Sequence, residues 1–288
     1  MKLDPARVAA LAALAASGCA NLLGLDSTKL DFKDAMTDAP SACDGAPACT
    51  STTGRSVCGQ LLEVGANGGL PLRGAAPTGM ACAGSSLGPC AFTVYGQDEI
   101  SFFASTTTGR VTGSIDDCGR FVVPDLDATQ ANVAVVFAAS GFETSASLVL
   151  GRPTMPGTDT VVAYGVDMAS VTAWGTQLSS ATPPDTTAGY LVAHVDSAGA
   201  PVATDKDRLN GADLPGPPTA PWVAYFTGST AFGALDPTAT ATGPSGTSLV
   251  VPAAGTVTLS SARTGKTCTP MPMLQIIPMT LIYVALSC

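Results

Sequence analysis

The stretch TGSIDDCGRFVVPDL, residues 112–126, decides the fold. Asp116 and Gly119 stand three residues apart, and both residue types favour tight turns. Phe121 and Val123 follow at a spacing of two, which places their side chains on one face of a strand. The stretch therefore predicts a turn that leads directly into a strand with one buried face.

The composition of the whole chain agrees with a fold made of strands and turns. It has 31 glycines and 22 prolines in 288 residues, and only 12% of its residues are charged. Such a composition disfavours long helices and suits short β-branched strands joined by tight turns. Apolar residues alternate at 133–137 and 256–260, and strand-like runs occur at 100–103 and 280–286. We therefore predict an all-β protein, long enough for about two domains.

One segment, residues 167–178, has helical periodicity. Val171, Trp174 and Leu178 lie three and four residues apart, which is the spacing of one helix face. Asp167 precedes them and can accept hydrogen bonds from the amides of a first helical turn. We expect one short helix that connects two halves of the chain and packs Trp174 between them. A Trp174 that covers a sugar-binding surface is the alternative.

The first half of the chain resembles a known family in the order of its motifs. Residues 70–75, LPLRGA, come first, followed by the Asp-x-x-Gly-x-Phe pattern of residues 116–121. A valine-rich strand then ends in Gly-Phe at 141–142. In this order the motifs resemble the carboxypeptidase regulatory-like module. The resemblance implies a seven-stranded, transthyretin-like β-sandwich over residues 56–151, without catalytic residues.

The second half, residues 188–288, repeats that order in a more divergent form. A strand at 190–196 is followed by a turn and a restart, and residues 242–251 mirror the turn and strand of residues 112–126. Repeated order without identity indicates a second copy of the same unit. We therefore predict two tandem transthyretin-like or Ig-like β-sandwiches, with residues 152–187 as a linker that carries the helix.

The first nineteen residues have the layout of a signal sequence. Lys2 and Arg7 bracket a charged start, and an apolar run at 8–16 is too short to span a bilayer as a mature helix. The run leads into ASGC at residues 16–19. Small residues before a cut site are typical of a secretory signal, which predicts a signal peptide over residues 1–18.

The cysteine at the end of this signal, Cys19, resembles the modified residue of a bacterial lipobox. The resemblance implies cleavage before Cys19 and acylation of its thiol. Because Ala20 follows instead of aspartate, it also implies a lipid-anchored position in the cell envelope, sorted to the outer membrane. Residues 19–55, rich in aspartate and small residues, are then a spacer. An uncleaved anchor and an ordinary secreted protein are the alternatives.

The other eight cysteines indicate disulfides, because an even number in an exported chain is typical of a disulfide framework. Proximity favours the pairs Cys268–Cys288 and Cys43–Cys49. A zinc site is the weaker alternative, because the chain has one histidine and no Cys-x-x-Cys pair. The candidates are Cys43, Cys49, Cys58, Cys82, Cys90, Cys118, Cys268 and Cys288. Proximity also favours Cys82–Cys90, which leaves Cys58–Cys118 as the last pair.

Few residues offer catalytic or metal-binding chemistry. His194 falls in the middle of a predicted strand, on the same face as Tyr190 and Val192, and we expect a structural or solvent-facing role for it. No His-Glu-x-x-His or phosphate-loop motif occurs in the sequence. Asp116 and Asp117 are candidate Ca²⁺ ligands, but two carboxylates fall short of the roughly six oxygens that Ca²⁺ takes. We therefore predict no metal and no cofactor.

The charge balance bears on the class of partner. With 13 basic and 22 acidic residues the formal net charge is −9, which does not suit nucleic-acid binding. We predict a non-catalytic, lipid-anchored cell-envelope protein that acts in surface interaction or scaffolding. Its partners would be the membrane, through the lipid, and an envelope protein or a glycan. The alternative is a carbohydrate-active or other hydrolase on a β-sandwich scaffold, which needs paired carboxylates in a cleft.

Overall fold

Strands dominate the structure, a computed structural model, and the prediction of an all-β fold with sandwich-like sheets is confirmed. Eighteen strands and two helices lie in the part of the chain that the structure describes. These residues belong to one compact unit, Ala46–Cys288. The described residues are 49–51, 54–64, 92–116, 118–151, 155–178, 186, 188–196, 199–229, 231–253, 255–263 and 266–288.

The first half of the described chain forms eight strands and one short helix. The bounds are β1 Arg55–Glu63, β2 Thr93–Asp98, α1 Glu99–Phe103, β3 Val111–Thr112, β4 Ser114–Ile115, β5 Arg120–Leu126, β6 Val133–Ala138, β7 Phe142–Val149 and β8 Gly157–Asp167.

The turn inside residues 112–126 forms as the sequence predicts, between β4 and β5, which pair antiparallel. Gly119 has a φ of +70°, a left-handed conformation that glycine adopts without steric cost. Oδ1 of Asp116 accepts hydrogen bonds from the backbone N–H groups of Cys118 and Arg120, both at 2.9 Å. The aspartate therefore fixes the turn with its own side chain, as aspartates in turns commonly do.

One predicted strand is wrong: residues 100–103 lie in α1. Oδ1 of Asp98 accepts a hydrogen bond of 2.9 Å from the backbone N–H of Ser101, which is the interaction that starts a helix. Phe102 is buried, whereas Ile100 is exposed. The helical turn thus buries one aromatic side chain where a strand would have alternated.

The second half of the described chain begins with the connecting helix, which the sequence predicts correctly, and continues with ten strands. The bounds are α2 Met168–Gln177, β9 Ala188–Val195, β10 Lys206–Leu209, β11 Ala212–Asp213, β12 Trp222–Thr227, β13 Ala234–Asp236, β14 Thr247–Val251, β15 Thr256–Arg263, β16 Lys266–Thr267, β17 Met271–Gln275 and β18 Thr280–Ser287.

Strand β18 joins the two halves into one large sheet. It pairs in parallel with β9 on one side and with β7 on the other. The resulting order is β13-β12-β14-β9-β18-β7-β8-β1-β5-β4, with β2, β3 and β6 attached through β7. A second sheet contains β11, β10, β15, β16 and β17. The sandwich boundaries at residues 151 and 188 stay a prediction.

Trp174 of α2 lies in an apolar cluster that draws residues from both halves, as predicted. Its side chain is buried, its ring centroid lies 5.2 Å from that of Phe226, and its Nε1–H donates to the carbonyl of Gly233 at 3.1 Å. Val64 and Val166 of the first half belong to the same cluster. This burial contradicts the alternative of an exposed sugar-binding tryptophan.

Neither described helix has the length and hydropathy that crossing a membrane requires.

Candidate functional site: a buried acid–histidine–acid centre

The side chain of His194 is completely buried inside the second half. It shares one face of β9 with Tyr190 and Val192, which belong to the same apolar cluster. The expected face is therefore confirmed, the structural role agrees with the burial, and the solvent-facing alternative is wrong.

The backbone around His194 is fixed by the close approach of a glycine. The N–H of His194 donates to the carbonyl of Gly246, and the N–H of Val202 donates to the carbonyl of His194, both at 2.8 Å. Gly246 has a φ of +64°, and a Cβ at this position would lie 2.8 Å from the carbonyl oxygen of His194. Only glycine fits here, because real Cβ atoms do not approach an oxygen so closely.

Two aspartates enclose the imidazole. Oδ2 of Asp205 lies 3.4 Å from Nδ1 of His194, and Oδ1 of Asp207 lies 3.1 Å from Nε2. Both carboxylates are buried. Residues 205 and 207 stand two apart at the start of β10, so their side chains reach the same face of the strand.

Hydroxyl groups hold the two aspartates in place through their backbone. The N–H of Asp205 donates to Oγ1 of Thr242 at 2.9 Å, and that hydroxyl donates to the carbonyl of Val202 at 3.0 Å. The N–H of Asp207 donates to the hydroxyl oxygen of Tyr225 at 3.1 Å. The segment that carries the carboxylates is thereby anchored to the β12 and β14 side of the large sheet.

The electrostatics of this centre favour a protonated imidazole. Burial alone lowers the pKa of His194, but the charges of Asp207 and Asp205 and their interactions with the ring outweigh it and raise the pKa to about 9. Burial also raises the pKa of the Tyr225 hydroxyl, and the neighbouring Asp207 raises it further. At neutral pH the ring of His194 is therefore an imidazolium, and the hydroxyl of Tyr225 keeps its proton.

The disulfide Cys268–Cys288 borders this centre and has the predicted pairing. Its two sulfurs lie 3.6 Å (Cys268) and 3.4 Å (Cys288) from Oδ2 of Asp205. Cys268 is fully buried, and Cys288 is half-buried. The carboxylate of Asp205 thus contacts both the imidazole and the disulfide.

The other described disulfide corrects two expected pairings. Cys58 bonds to Cys49, with Cα atoms 5.8 Å apart, so Cys43–Cys49 and Cys58–Cys118 are wrong. Cys58 lies opposite Val122 in the antiparallel pair of β1 and β5. Val122 is four residues after Cys118 in the chain. At about 3.3 Å per residue that exceeds the reach of a disulfide, roughly 7 Å between Cα atoms.

The remaining cysteines and predicted ligands fall largely outside this centre. Cys118 is disulfide-bonded as well. Oδ2 of Asp116 pairs with Nε of Arg120 at 2.6 Å, which agrees with the turn role. Cys19, Cys43, Cys82, Cys90, Asp117 and the predicted signal peptide lie outside the described residues.

A pocket of about 220 Å³ opens beside the buried centre. Asp207 and Tyr225 line it, together with Lys206 and Asp213. Asp213 forms an exposed ion pair with Arg208. The pocket thus offers the exposed carboxylate of Asp213, whereas the carboxylate of Asp207 is buried.

Sequence reasoning missed both aspartates of the centre. The segment ATDKDRL, residues 203–209, contains them at a spacing of two. That alternation was the available signal, since it places two acids on one face of a strand. A charged segment of this kind is more typical of a solvated turn, and its burial depends on contacts distant in sequence.

The clamped imidazole limits the chemistry that His194 can perform. A general base needs a free nitrogen lone pair directed at a nucleophile. Both ring nitrogens of His194 face carboxylates, and the raised pKa keeps both protonated. The arrangement suits a structural cation that neutralises buried acids.

Comparisons with known proteins identify no family. No family model and no curated protein matches the chain, so the carboxypeptidase regulatory-like resemblance stays a prediction. The shaft pilin SpaA of Lactobacillus rhamnosus GG is similar in structure at 11% identity and a TM-score of 0.22, over 82% of this chain and 98% of the pilin.

Two further solved structures are similar at the same low level. The Bacillus anthracis TIE protein has 11% identity and a TM-score of 0.20, over 81% of this chain and 33% of its own. A Bacteroides ovatus protein to which a role in cell adhesion is ascribed has 10% identity and a TM-score of 0.23, over 82% and 93%. Similarity at this level assigns neither a family nor a function to the chain.

Proposed function

We propose that this protein is a non-catalytic binding protein of the cell envelope, exported and held by a lipid on Cys19. The observation that carries the non-catalytic part is the clamped histidine. The chain has one histidine, and both of its nitrogens face buried carboxylates. Histidine is the most common general base in proteins, and the one histidine of this chain is used instead to neutralise buried acids.

The disulfides support export. Cys49–Cys58 and Cys268–Cys288 each link residues of the folded part of the chain. Stable disulfides are typical of secreted and envelope proteins and are rare in the reducing cytosol. A structural role for them fits a protein that must persist outside the cytoplasm.

The pocket beside Asp207 supports a glycan as the bound partner. The exposed carboxylate of Asp213 can accept hydrogen bonds from sugar hydroxyls, and Val223 and Leu214 supply apolar surface in the same pocket. A small number of polar groups on an apolar wall is the usual composition of a small-ligand site. Lys206 and Asp213 give the lining one charge of each sign, so the pocket would suit sugars without a strong charge of their own.

A glycan array with the mature protein tests this assignment. We expect binding to neutral or amino sugars, weakened about tenfold or more by Asp213→Asn in the pocket wall. Asp125→Asn is the matched control, because Asp125 is exposed and does not line the pocket. Absence of any glycan signal, or equal effects of the two variants, would contradict a glycan site here.

The same samples discriminate the rival function. A hydrolase would release reducing sugar from a bound glycan and would lose that activity in Asp213→Asn. We expect no release above the buffer rate. Mass spectrometry of the mature N-terminus tests the anchor separately: we expect a chain that begins at an acylated Cys19, and an unmodified Cys19 would contradict it.

A further inference from the structure

We propose that reduction of the Cys268–Cys288 disulfide turns the buried centre into a zinc site. The four ligands would be His194, Asp205, Cys268 and Cys288. In the disulfide form the two sulfurs are bonded to each other and cannot bind zinc. The redox state of the two cysteines therefore controls the site. The inference is independent of the glycan site, because none of these four residues lines the pocket.

The geometry of the four groups is close to that of a tetrahedral metal site. One ligand atom from each of the four residues can be chosen so that all lie within 4.8 Å of one another. Oδ2 of Asp205 lies 3.4 Å from Nδ1 of His194 and 3.4 Å and 3.6 Å from the two sulfurs. Zinc bond lengths of about 2.0 Å to N and O and 2.3 Å to S place tetrahedral ligands roughly 3.3 to 3.8 Å apart. Three of the six separations therefore already match, and the bonded sulfurs have to move apart.

The other edge of the imidazole carries the support that zinc-bound histidines usually have. Oδ1 of Asp207 lies 3.1 Å from Nε2 of His194. A ligating histidine commonly donates its second N–H to a carboxylate, which fixes the ring and increases its basicity. Asp207 is itself fixed by the hydrogen bond from its N–H to Tyr225. The centre therefore contains both the ligands and their supporting acid.

The buried carboxylates also have spare capacity for a cation. Oδ1 of Asp205 and both carboxylate oxygens of Asp207 are buried and have no hydrogen-bond partner among the described residues. With zinc, the inner set of two thiolates, one carboxylate and one neutral imidazole has a charge of −1, the same as in a Cys₃His site.

External thiols can supply the two electrons that reduction of the Cys268–Cys288 disulfide requires. A thiolate attacks Sγ of Cys288, the half-buried member of the pair, and Cys268 leaves as a thiolate. A second external thiol releases Cys288, so the products are two protein thiols and one external disulfide. Zinc binding then displaces two thiol protons and the Nδ1 proton of His194. Without reduction only His194 and Asp205 offer ligand atoms, two short of a closed site.

The second described disulfide supplies a matched control. Cys49 and Cys58 are bonded in the same way, but within the described residues no metal-ligand cluster of three or more groups includes them. Their reduction should therefore yield thiols without a complete zinc site. The two pairs in one chain separate an assembled site from the general affinity of thiols for zinc.

Cobalt titration of the mature protein tests the site. After anaerobic reduction by a phosphine, we expect one equivalent of Co²⁺ to produce the intense visible absorption of tetrahedral thiolate-bound cobalt, and one equivalent of Zn²⁺ to remove it. The disulfide form should give no such band. Cys268→Ser with Cys288→Ser should abolish it, and Cys49→Ser with Cys58→Ser should retain it. Asp207→Asn should weaken zinc binding about 10- to 100-fold.

Circular dichroism on the same samples covers the case in which reduction loosens the fold. Zinc-dependent recovery of the β signal at one equivalent supports the site, because metal binding is then coupled to folding. The proposal is overturned if the reduced protein shows no thiolate–cobalt band, folded or unfolded. It is equally overturned if the disulfide form or the Cys268→Ser, Cys288→Ser variant binds zinc as tightly as the reduced protein.

Discussion

The cores of the two halves solve the problem of burial in different ways. The first-half core consists of apolar side chains, among which Phe121 and Phe137 meet edge to face with ring centroids 4.9 Å apart. The second-half core surrounds His194, Asp205 and Asp207, all fully buried. Apolar packing responds little to pH, whereas buried charges depend on protonation. The comparison shows that one chain can combine an inert core with one that responds to its chemical environment.

The charged pair of the first half underlines this difference, because it lies between strand ends and not inside the apolar core. Arg55 at the start of β1 forms two bonds to Asp159 of β8, Nε–Oδ2 at 2.6 Å and Nη2–Oδ1 at 2.5 Å. The side chain of Asp159 keeps 17% of its surface exposed. The hydrogen bonds and charge of Asp159 raise the pKa of Arg55 despite its burial.

The largest effect is expected from removing the central cation. His194→Leu leaves two buried carboxylates without their partner, which should lower the free energy of unfolding by about 3–5 kcal/mol at pH 7. Urea denaturation of the disulfide form measures it. Replacing Asp205 and Asp207 by leucine as well should recover most of the loss, because an apolar core of similar volume tolerates the change. A triple variant no more stable than the single one would contradict the charge argument.

The next effect is a dependence of the free energy of unfolding on pH, which arises from the charged centre of the second half. The pKa of His194 is about 9 in the folded chain and about 6.5 in an unfolded one. The folded state therefore binds this proton more tightly, and the resulting stability is fully present below pH 6.5 and lost as the pH rises towards 9. The loss should be roughly 3 kcal/mol, at about 1.4 kcal/mol per pKa unit.

Urea titrations at several pH values measure the slope of the free energy of unfolding against pH, with one variant from each core as a control. Phe121→Ala should destabilise by about 3–5 kcal/mol through the cavity it leaves, and the slope should persist. His194→Leu should remove the slope between pH 6.5 and 9. A wild-type free energy of unfolding that stays constant over this window would contradict a protonated His194.

A smaller effect is expected at the charged pair of the first half. Asp159→Asn keeps the shape but removes the charge that faces Arg55, and should cost about 2 kcal/mol, since hydrogen bonds to charged groups contribute about 1.5–3 kcal/mol. The matched control is Asp116→Asn, whose ion pair with Arg120 is more exposed and should cost less than about 1 kcal/mol. Equal losses in urea denaturation would show that burial does not distinguish the two pairs.

The smallest expected effect is that of metal removal from the disulfide form. Both oxygens of Asp116 are engaged, Oδ1 by two backbone N–H groups and Oδ2 by Arg120. A Ca²⁺ ion would have to displace these partners. EDTA should therefore leave the melting temperature unchanged, as measured by circular dichroism. A lower melting temperature that returns on addition of Ca²⁺ would contradict the turn role of Asp116.

Local patterns in the sequence predicted much of the fold. Residues 112–126 contained a turn and a strand because aspartate, glycine and alternating apolar residues act within a few positions of one another. Asp167 and the spacing of Val171 and Trp174 identified α2 for the same reason. At residues 100–103 the prediction failed, because a single capping bond from Asp98 outweighed the strand propensity of the apolar residues.

The candidate site was less accessible from the sequence. Cys268–Cys288 could be predicted because the two cysteines are near each other in the chain. The partners of His194 could not, since the strand of Asp207 pairs with β15 in the second sheet while His194 lies in the large sheet. The Cys49–Cys58 bond joins residues nine positions apart, and proximity in the sequence favoured Cys43 as the partner of Cys49 instead.

The sequence by itself determined the strand and turn content, the connecting helix and the expectation of disulfides, because these follow from backbone preferences and residue counts. Only the tertiary structure decided which charges meet: it placed Asp205 and Asp207 on either side of His194 and a disulfide against them. The physical reason is that ion pairs and metal sites need atoms within about 4 Å, and sequence spacing does not encode such distances between separate sheets.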